Sequence, residues 1–468
     1  MPGRSGNRMQ RLPPFAGIVT SAQAQRGGLT VADATAVLHR LAYVKQRLAI
    51  GAAAFLPSTP EWEAKCALAL HGWIDADHAA AIYARIAEMR EPAPGAGDVP
   101  DEGLSAALDE ALAAPTTSAR LGAVYGAIRP AFRVALLAYL ERTNSLCDQP
   151  TVRVLRAIAA EEPAVEAWSI AALAAVRSSE SIDWGNHIAG ALGAAGGVDG
   201  LSTRTPGPPP RHRRPYRFDV IPARDERFAG IFDTSTPADV VYLDDTRSAD
   251  ERNAALIFKR LREMDVPEVI AGVVAERWAE ERNAGARGRP WAYYTSMLRQ
   301  MWDEARHAML GQALMESHGV DWASLPVNVT FSWKLAKYCS PVERHILLYA
   351  IEQSLMPRDR GKPYEHRVAA ESGDRLSGLF HDYDWADEVL HVEIARRCLR
   401  PELPGGLTEA RERADALWAR ITETLEREPP PAGAAAAADW WPRFARQVIG
   451  RDAAAVPATH VKDWRPGP

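Results

Sequence analysis

Apolar residues recur at spacings of three and four along most of this chain, the period that gives a helix one buried face. Four such runs occupy the first half, at 31–55, 60–91, 121–144 and 152–176. Proline and glycine clusters divide them, notably EPAPGAGDVPDEG at 91–103. Proline lacks the donor a helix needs and glycine costs backbone entropy, so the helices cannot run through. The period then fails: 201–250 is rich in proline and arginine and reads as an interdomain connector, its basic run PRHRRPYR a solvated stretch rather than a phosphate patch. It returns at 251–283, 289–319, 331–357 and in a long run from about Pro363 to Leu399. One more helix is expected at 407–428, followed by DWWPRFARQVIG and a proline-ended tail. The pattern therefore predicts an all-α chain: a tail at 1–29, a four-helix set at 30–200, the 201–250 linker, a second four-helix set at 251–404 and a C-terminal helical extension at 405–468 that packs on it.

The two halves share a signature. Trp62, Trp73, Asp75 and His78 match Trp291, Trp302, Glu304 and His307 at a constant offset of 229. Later in each half, LLAYLE ending at Glu141 resembles ILLYAIE ending at Glu352. Two position-matched signatures in the same order favour an internal duplication.

Composition narrows the function. A length of 468 residues calls for two or more domains. Hydrophobic residues at 47% and charged ones at 25% are ordinary globular values, and 55 basic against 60 acidic side chains leave a net charge of only -5. That balance has no footprint for DNA or RNA. Four cysteines (Cys66, Cys147, Cys339, Cys398) stand singly without C-x-x-C spacing, which argues against a disulfide framework and a thiolate zinc site and fits a reducing cytoplasm. The first twenty residues carry no apolar h-region, and no uncharged apolar stretch of about 18 residues is evident, so secretion and membrane spanning are disfavoured.

The residues that carry chemistry are Asp303-Glu304-x-x-His307 and Asp387-Glu388-x-x-His391. Residues three apart share a helix face, so each Glu-x-x-His offers a carboxylate and an imidazole to one point, and two such helices facing each other can bracket metal ions. Two adjacent acids ending three residues before a histidine should occur by chance roughly 0.2 times in a chain of this composition. Two lone carboxylates complete the pattern. In an antiparallel hairpin with its loop centred near 287, Glu304 and His307 lie level with 267–270, where Glu268 falls; Glu276 is the alternative if the level shifts by two turns. On the third helix Glu352 shares a stripe with Tyr349 and His345 and is the fourth carboxylate, while Glu343 reads as surface and His345 as a core or rim histidine rather than an extra ligand. His381, Asp384, Glu388 and His391 share a face of the fourth helix; Asp384 either accepts a hydrogen bond from a ligand histidine or caps a helix near the Gly378–Asp384 stretch. Asp303 and Asp387 precede the ligand glutamates, point about 100° away and are expected to pair with arginines.

The stretch from about 250 to 400, with PEVIAG, PWAYYTSMLRQMWDEARHAMLG, AIEQ, ESGDRLSGLF and DWADEVLHVEIARR, resembles the ferritin-like non-haem di-iron carboxylate superfamily, in particular bacterial ferritin-like proteins with D-E-x-x-H motifs. The resemblance covers about a third of the chain and implies a ferritin-like four-helix bundle with a metal set of Glu268, Glu304, His307, Glu352, Glu388 and His391; the internal repeat extends this to two such bundles in tandem, and the shared helix faces put Asp384, His345, Tyr349 and His381 around the set. It implies two iron ions, or manganese with iron, that activate dioxygen, a small-molecule substrate and an electron donor; it implies no particular substrate. A homodimer is compatible with it. The N-terminal half departs from the pattern, having His39 at the level position and Glu162-Pro-Ala-Val165 where the second histidine should be, so it reads as a degenerate copy serving as an interface or cover. Six side-chain ligands leave coordination positions open for dioxygen or substrate, and the expected activity is that of an oxidase or oxygenase. The competing readings are iron storage, to which a two-bundle chain with a long linker is poorly suited, and a non-catalytic scaffold. No Ser/His/Asp order, P-loop or Gly-x-Gly-x-x-Gly motif supports a hydrolase or a nucleotide site.

Overall fold

The computed structural model describes residues 12–92, 94–95, 97–176, 178–212, 215–232, 238–285, 288–433, 435, 437 and 439–453; the extreme tails and the hairpin centre at 287 lie outside them. Among the described residues the chain is all-helical, with no strand. It divides into two compact units, one of Met1–Gln46 and His78–His212, the other of Arg47–Asp77 and Arg213–Pro468.

The first unit draws on α1 (Val31–Phe55), α2 (Trp62–Ala87), α3 (Glu102–Leu112), α4 (Thr117–Ala123), α5 (Arg129–Arg142), α6 (Gln149–Ala175) and α7 (Ser179–Ala194). Helices α3 and α7 are additions to the four expected runs, and they pack on each other. Each was hidden by its flanks or composition: α3 follows the 91–103 cluster directly, with Asp101 capping the Leu104 amide at 2.8 Å, and α7 carries three glycines. Between α4 and α5 the helix widens into a π turn, Val124–Ile128, next to Pro130, whose missing N–H breaks the regular ladder. The whole stretch Thr117–Arg142 is long and apolar enough to cross a membrane by length and composition, which the sequence reading did not anticipate; 56% of its apolar window is buried within the protein, as in a core helix.

The second unit adds α8 (Ala249–Leu261), α9 (Asp265–Ala284), α10 (Trp291–Ser317), α11 (Thr330–Tyr338), α12 (Pro341–Ser354), α13 (Lys362–Glu371), α14 (Arg375–Leu399), α15 (Gly406–Arg427) and α16 (Trp440–Ile449). Helix α9 packs on α10 and α12, and α14 packs on the same two, so the four close a ring. Helices α8 and α13 pack on each other, α8 also against α10 and α13 against α14. Helix α15 lies on α12 and α14, while α16 covers α8, where the Trp440 and Phe258 rings are 4.6 Å apart. Residues 47–77 belong to this unit for a physical reason: Trp62 is buried among Phe228 and Trp322, and its indole donates to Gln312 at 2.9 Å. The duplicated signature has a structural echo, since Trp62 and Trp291 each begin a helix.

Two expected single helices are broken. The 251–283 run is interrupted by a 3-10 turn at Arg262–Met264. Pro267 is the cause: it cannot donate to the carbonyl four residues back, which is Glu263, and its ring crowds that carbonyl. The run to Leu399 breaks at Gly373, whose φ of 80° is the left-handed conformation that ends a helix, and Asp374 restarts it by accepting from the Leu376 and Ser377 amides, each at 3.0 Å. Gly311 allows α10 its contact with α8, because a Cβ there would meet the Leu261 amide nitrogen at 2.3 Å.

Candidate metal centre

Helix α10 carries Gln300, Glu304 and His307, and α14 carries Asp384, Glu388 and His391, each set at spacings of four and three and therefore on one face. Both faces turn into the ring, as does Glu352 of α12, and all seven side chains are buried. The imidazoles of His307 and His391 come from opposite helices with ring centres 5.8 Å apart.

Glu304, Glu352, Glu388 and His391 form the larger group, with one ligand atom from each lying within 4.8 Å of the others. His391 Nδ1 is 3.0 Å from Glu304 Oε1 and 3.4 Å from Glu388 Oε2 yet makes no hydrogen bond, and Glu352 Oε2 and Glu388 Oε2 are also without a hydrogen-bond partner. Buried polar atoms left unmade cost stability, so lone pairs that converge without bonding one another fit a cation at their centre. The other oxygen of Glu352 is fixed by Gln300 Nε2 at 2.9 Å. No lysine or arginine among the described residues pairs with Glu304 or Glu352. Burial and then the neighbouring Glu388 push the Glu352 carboxyl well above the usual range. Burial opposes a charge on His391, but Asp303, Glu304 and Glu388 hold its pKa well above the ordinary imidazole value. Both directions mark a pocket of excess negative charge.

His307, Asp384 and Glu388 form a second group, and Glu263 joins Glu304 and His307 in a third. His307 Nδ1 is 3.2 Å from Asp384 Oδ1 and 3.6 Å from Glu263 Oε2, again without hydrogen bonds. This side has its own cations. Lys362 Nζ lies 2.7 Å from Glu388 Oε1, and Arg260, wholly buried, pairs with Asp384 and lies 2.7 Å from Glu263 and 3.1 Å from Glu365. Glu365 is in turn paired with Lys259. Burial opposes ionisation of Asp384 and Glu388, yet these cations hold both carboxyls below their ordinary range.

The aspartates that precede the ligand glutamates do pair with arginines: Asp303 with Arg299 and Arg306, each at 2.8 Å, and Asp387 with Arg306 at 2.6 Å. Each also reaches the outer nitrogen of the histidine on the opposite helix, Asp387 to His307 at 3.1 Å and Asp303 to His391 at 3.5 Å. That second role was not read from the sequence, although the 100° offset that turns each aspartate away from its own cluster is what aims it at its neighbour's.

The structure does not bring Glu268 to these groups. Its carboxylate pairs with Arg224 and, at 2.7 Å, with Lys65, and accepts from Ser332 at 2.8 Å. The helix is broken at 262–264, and Glu263, five residues earlier and about 140° around the helix, is the first-strip carboxylate that faces His307. Glu276 is half-buried and paired with Arg344, so the alternative does not reach the cluster either. Asp384 lies within α14 and is no cap; it borders His307 on the inner side. His381 Nδ1 donates to the Ser377 carbonyl at 2.9 Å, and His345 packs edge-on against Tyr293; burial pushes both rings down to about 4. The Tyr349 hydroxyl meets Gln353 at 3.4 Å, and Glu343 closes a capping box with Ser340 at 2.8 Å. In the first unit Glu141 is exposed, His39 stands beside Tyr83, His78 is 3.1 Å from Glu161, Glu162 pairs with Lys45, and Val165 is core.

Glu263, Gln300, Arg260 and Lys362 went unread. Gln300 had a signal, standing one turn before Glu304 on the same face, and Glu263 had one in Pro267. Lys362 had only a faint one, a lysine in the first turn of a helix, where the macrodipole disfavours a cation. No family model, no curated protein and no solved structure matches this chain.

Proposed function

We propose that the second unit is a non-haem metal-dependent oxidoreductase that uses dioxygen on a small-molecule substrate. The observation that carries this reading is the convergence of buried, unpartnered ligand atoms from Glu352, Glu388 and His391, together with Glu304, on one point. The closed ring of α9, α10, α12 and α14, with two Glu-x-x-His helices opposed, supports the ferritin-like reading of the bundle. The ion expected is iron or manganese, which when bound would supply the redox chemistry that dioxygen needs, with an electron donor as partner. The chain's own part is to hold and shield. Glu304, Glu352, Glu388 and His391 bind; Gln300 fixes Glu352; Asp303 turns His391 inward. Met297, Met301 and Ala308 on α10 and Ile394 on α14, within two turns of the ligands along the same helices, are buried and help keep bulk water out. An oxygen-using site with an apolar surround protects reactive species from side reactions.

The test is metal content by mass spectrometry on protein made in iron-supplemented cells, paired with dioxygen consumption after chemical reduction. At least about one ion per chain is expected, lost in Glu304→Ala and His391→Ala. A metal-free wild type, or variants that keep their metal, would sink the assignment.

A further inference from the structure

The carboxylates of the second group already hold a cation. Lys362, the first residue of α13, is fully buried. Its Nζ stands 2.7 Å from Glu388 Oε1, 2.9 and 3.0 Å from the two oxygens of Asp384, and 3.4 Å from Glu263 Oε1. Asp384 and Glu388 are the two residues that, with His307, would surround an ion on that side. A divalent ion bound there would sit about 2 Å from the same carboxylates. The ammonium would then be pressed against a double positive charge in a site of low dielectric, a strongly repulsive arrangement.

The two sides of the centre are thus unequal. Both sides hold ligand atoms without hydrogen bonds, but on the His391 side Glu304 and Glu352 have no lysine or arginine partner among the described residues. On the His307 side, Lys362 and Arg260 neutralise Asp384 and Glu263. Buried charges must be paired, and only the first side is short of a cation.

We propose that the centre takes a single metal ion, on the His391 side, and that the ammonium of Lys362 is the built-in second cation in the place where a dinuclear centre has its second metal. This rests on the metal-binding reading above and sharpens it. Glu388 then bridges an ion and an ammonium. The Gly373 break matters to this arrangement: it makes α13 a separate helix, packed on α8 and α14, whose first residue delivers the lysine to the cluster.

The experiment is anaerobic loading of the full chain with Fe(II), and separately with Mn(II), followed by dialysis and metal-to-chain ratios. Wild type should retain about one ion, Lys362→Arg about one, and Lys362→Met about two, a twofold rise. His307→Ala, in the same series, should keep its ion while His391→Ala loses it; this pair tests the assignment even if Lys362→Met fails to fold. Two ions in wild type, no rise in a folded Lys362→Met, or loss in His307→Ala as complete as in His391→Ala would each overturn the lysine's role while leaving a metal centre in place. No ion in wild type would instead overturn the metal-binding reading itself.

Discussion

His307 Nε2 lies 3.1 Å from Asp387 Oδ2, a hydrogen-bond partner supplied by the opposite helix. Asp303 faces His391 Nε2 from the opposite helix as well, at 3.5 Å and without a hydrogen bond. Each Asp-Glu-x-x-His run therefore sets its aspartate beside the other run's histidine. Such outer partners fix the tautomer and the ring plane, and losing one typically weakens metal binding about 10- to 100-fold. Asp303→Ala should lower the affinity for Fe(II) or Mn(II) by that factor in a chelator competition, with the fold intact, because Arg299 and Arg306 are partly exposed and can turn to water. Asp387→Ala should cost less, since His307 belongs to the side that Lys362 neutralises. An unchanged affinity in Asp303→Ala would show that His391 is held by packing alone.

Glu268 separates structural from metal-binding carboxylates. It is buried against Arg224 and Lys65, whose side chains are both fully buried. Removing one partner of a buried pair leaves uncompensated charge, at a cost of about 3–5 kcal/mol. Asp265, which shares Ser332 with Glu268, offsets part of that loss; burial and then Glu268 hold its carboxyl up to about 7, and it ionises more readily once Glu268 is gone. Glu268→Ala should therefore lower the urea midpoint strongly yet keep its metal. Metal loss at unchanged stability would return Glu268 to the ligand set.

How far the site could be read from the sequence follows from what each residue depends on. Glu304, His307, Glu388, His391 and Glu352 were legible because helical periodicity alone puts them on shared faces. Glu268 was placed by counting levels across a hairpin, which assumes an unbroken helix; Pro267 breaks it at Glu263, so the count went one face too far. Lys362 was out of reach, since its position depends on a break at Gly373 and on the packing of α13 against α8, neither of which any local period encodes. The all-helical class was legible for the same local reason, while α3 and α7 were missed because one begins directly after a proline cluster and the other is glycine-rich.

Gly311 is the point where α10 approaches the backbone of α8 just before the turn that presents Glu263. An added Cβ would stand 2.3 Å from the Leu261 nitrogen and 2.6 Å from its Cα, both backbone atoms that cannot swing aside. Overpacking of this kind costs about 1–3 kcal/mol. Gly311→Ala should melt several degrees lower than wild type in a calorimetric scan. An unchanged melting temperature would mean the two helices separate at no cost.

The first unit offers a control. Glu162 is paired with Lys45, whose ammonium also sits 4.3 Å from the Phe132 ring centre, and Glu141 is exposed. His78→Ala should leave the metal-to-chain ratio unchanged. A drop would reveal a second centre in this half.

His345 gives the fold a dependence on acid. Burial pushes its pKa down to about 4, and its Nε2 has no hydrogen-bond partner, whereas an exposed histidine in the unfolded chain titrates near 6.5. Below pH about 6.5 the unfolded chain binds a proton that the folded chain refuses until pH about 4, so stability is full above that window and falls as the pH drops through it. In mid-window one such group costs about 1.4 kcal/mol per pH unit. His381 acts in the same direction, and carboxyls raised by burial, such as Glu263 at about 7, act in the opposite one. The test is therefore a difference between two proteins rather than a single curve. Urea midpoints of wild type and His345→Leu, measured at intervals from pH 7 to 4.5, should draw closer or cross as the pH falls, because the variant no longer has that proton to refuse. Curves that stay parallel across the window would show that His345 does not titrate between the folded and unfolded states.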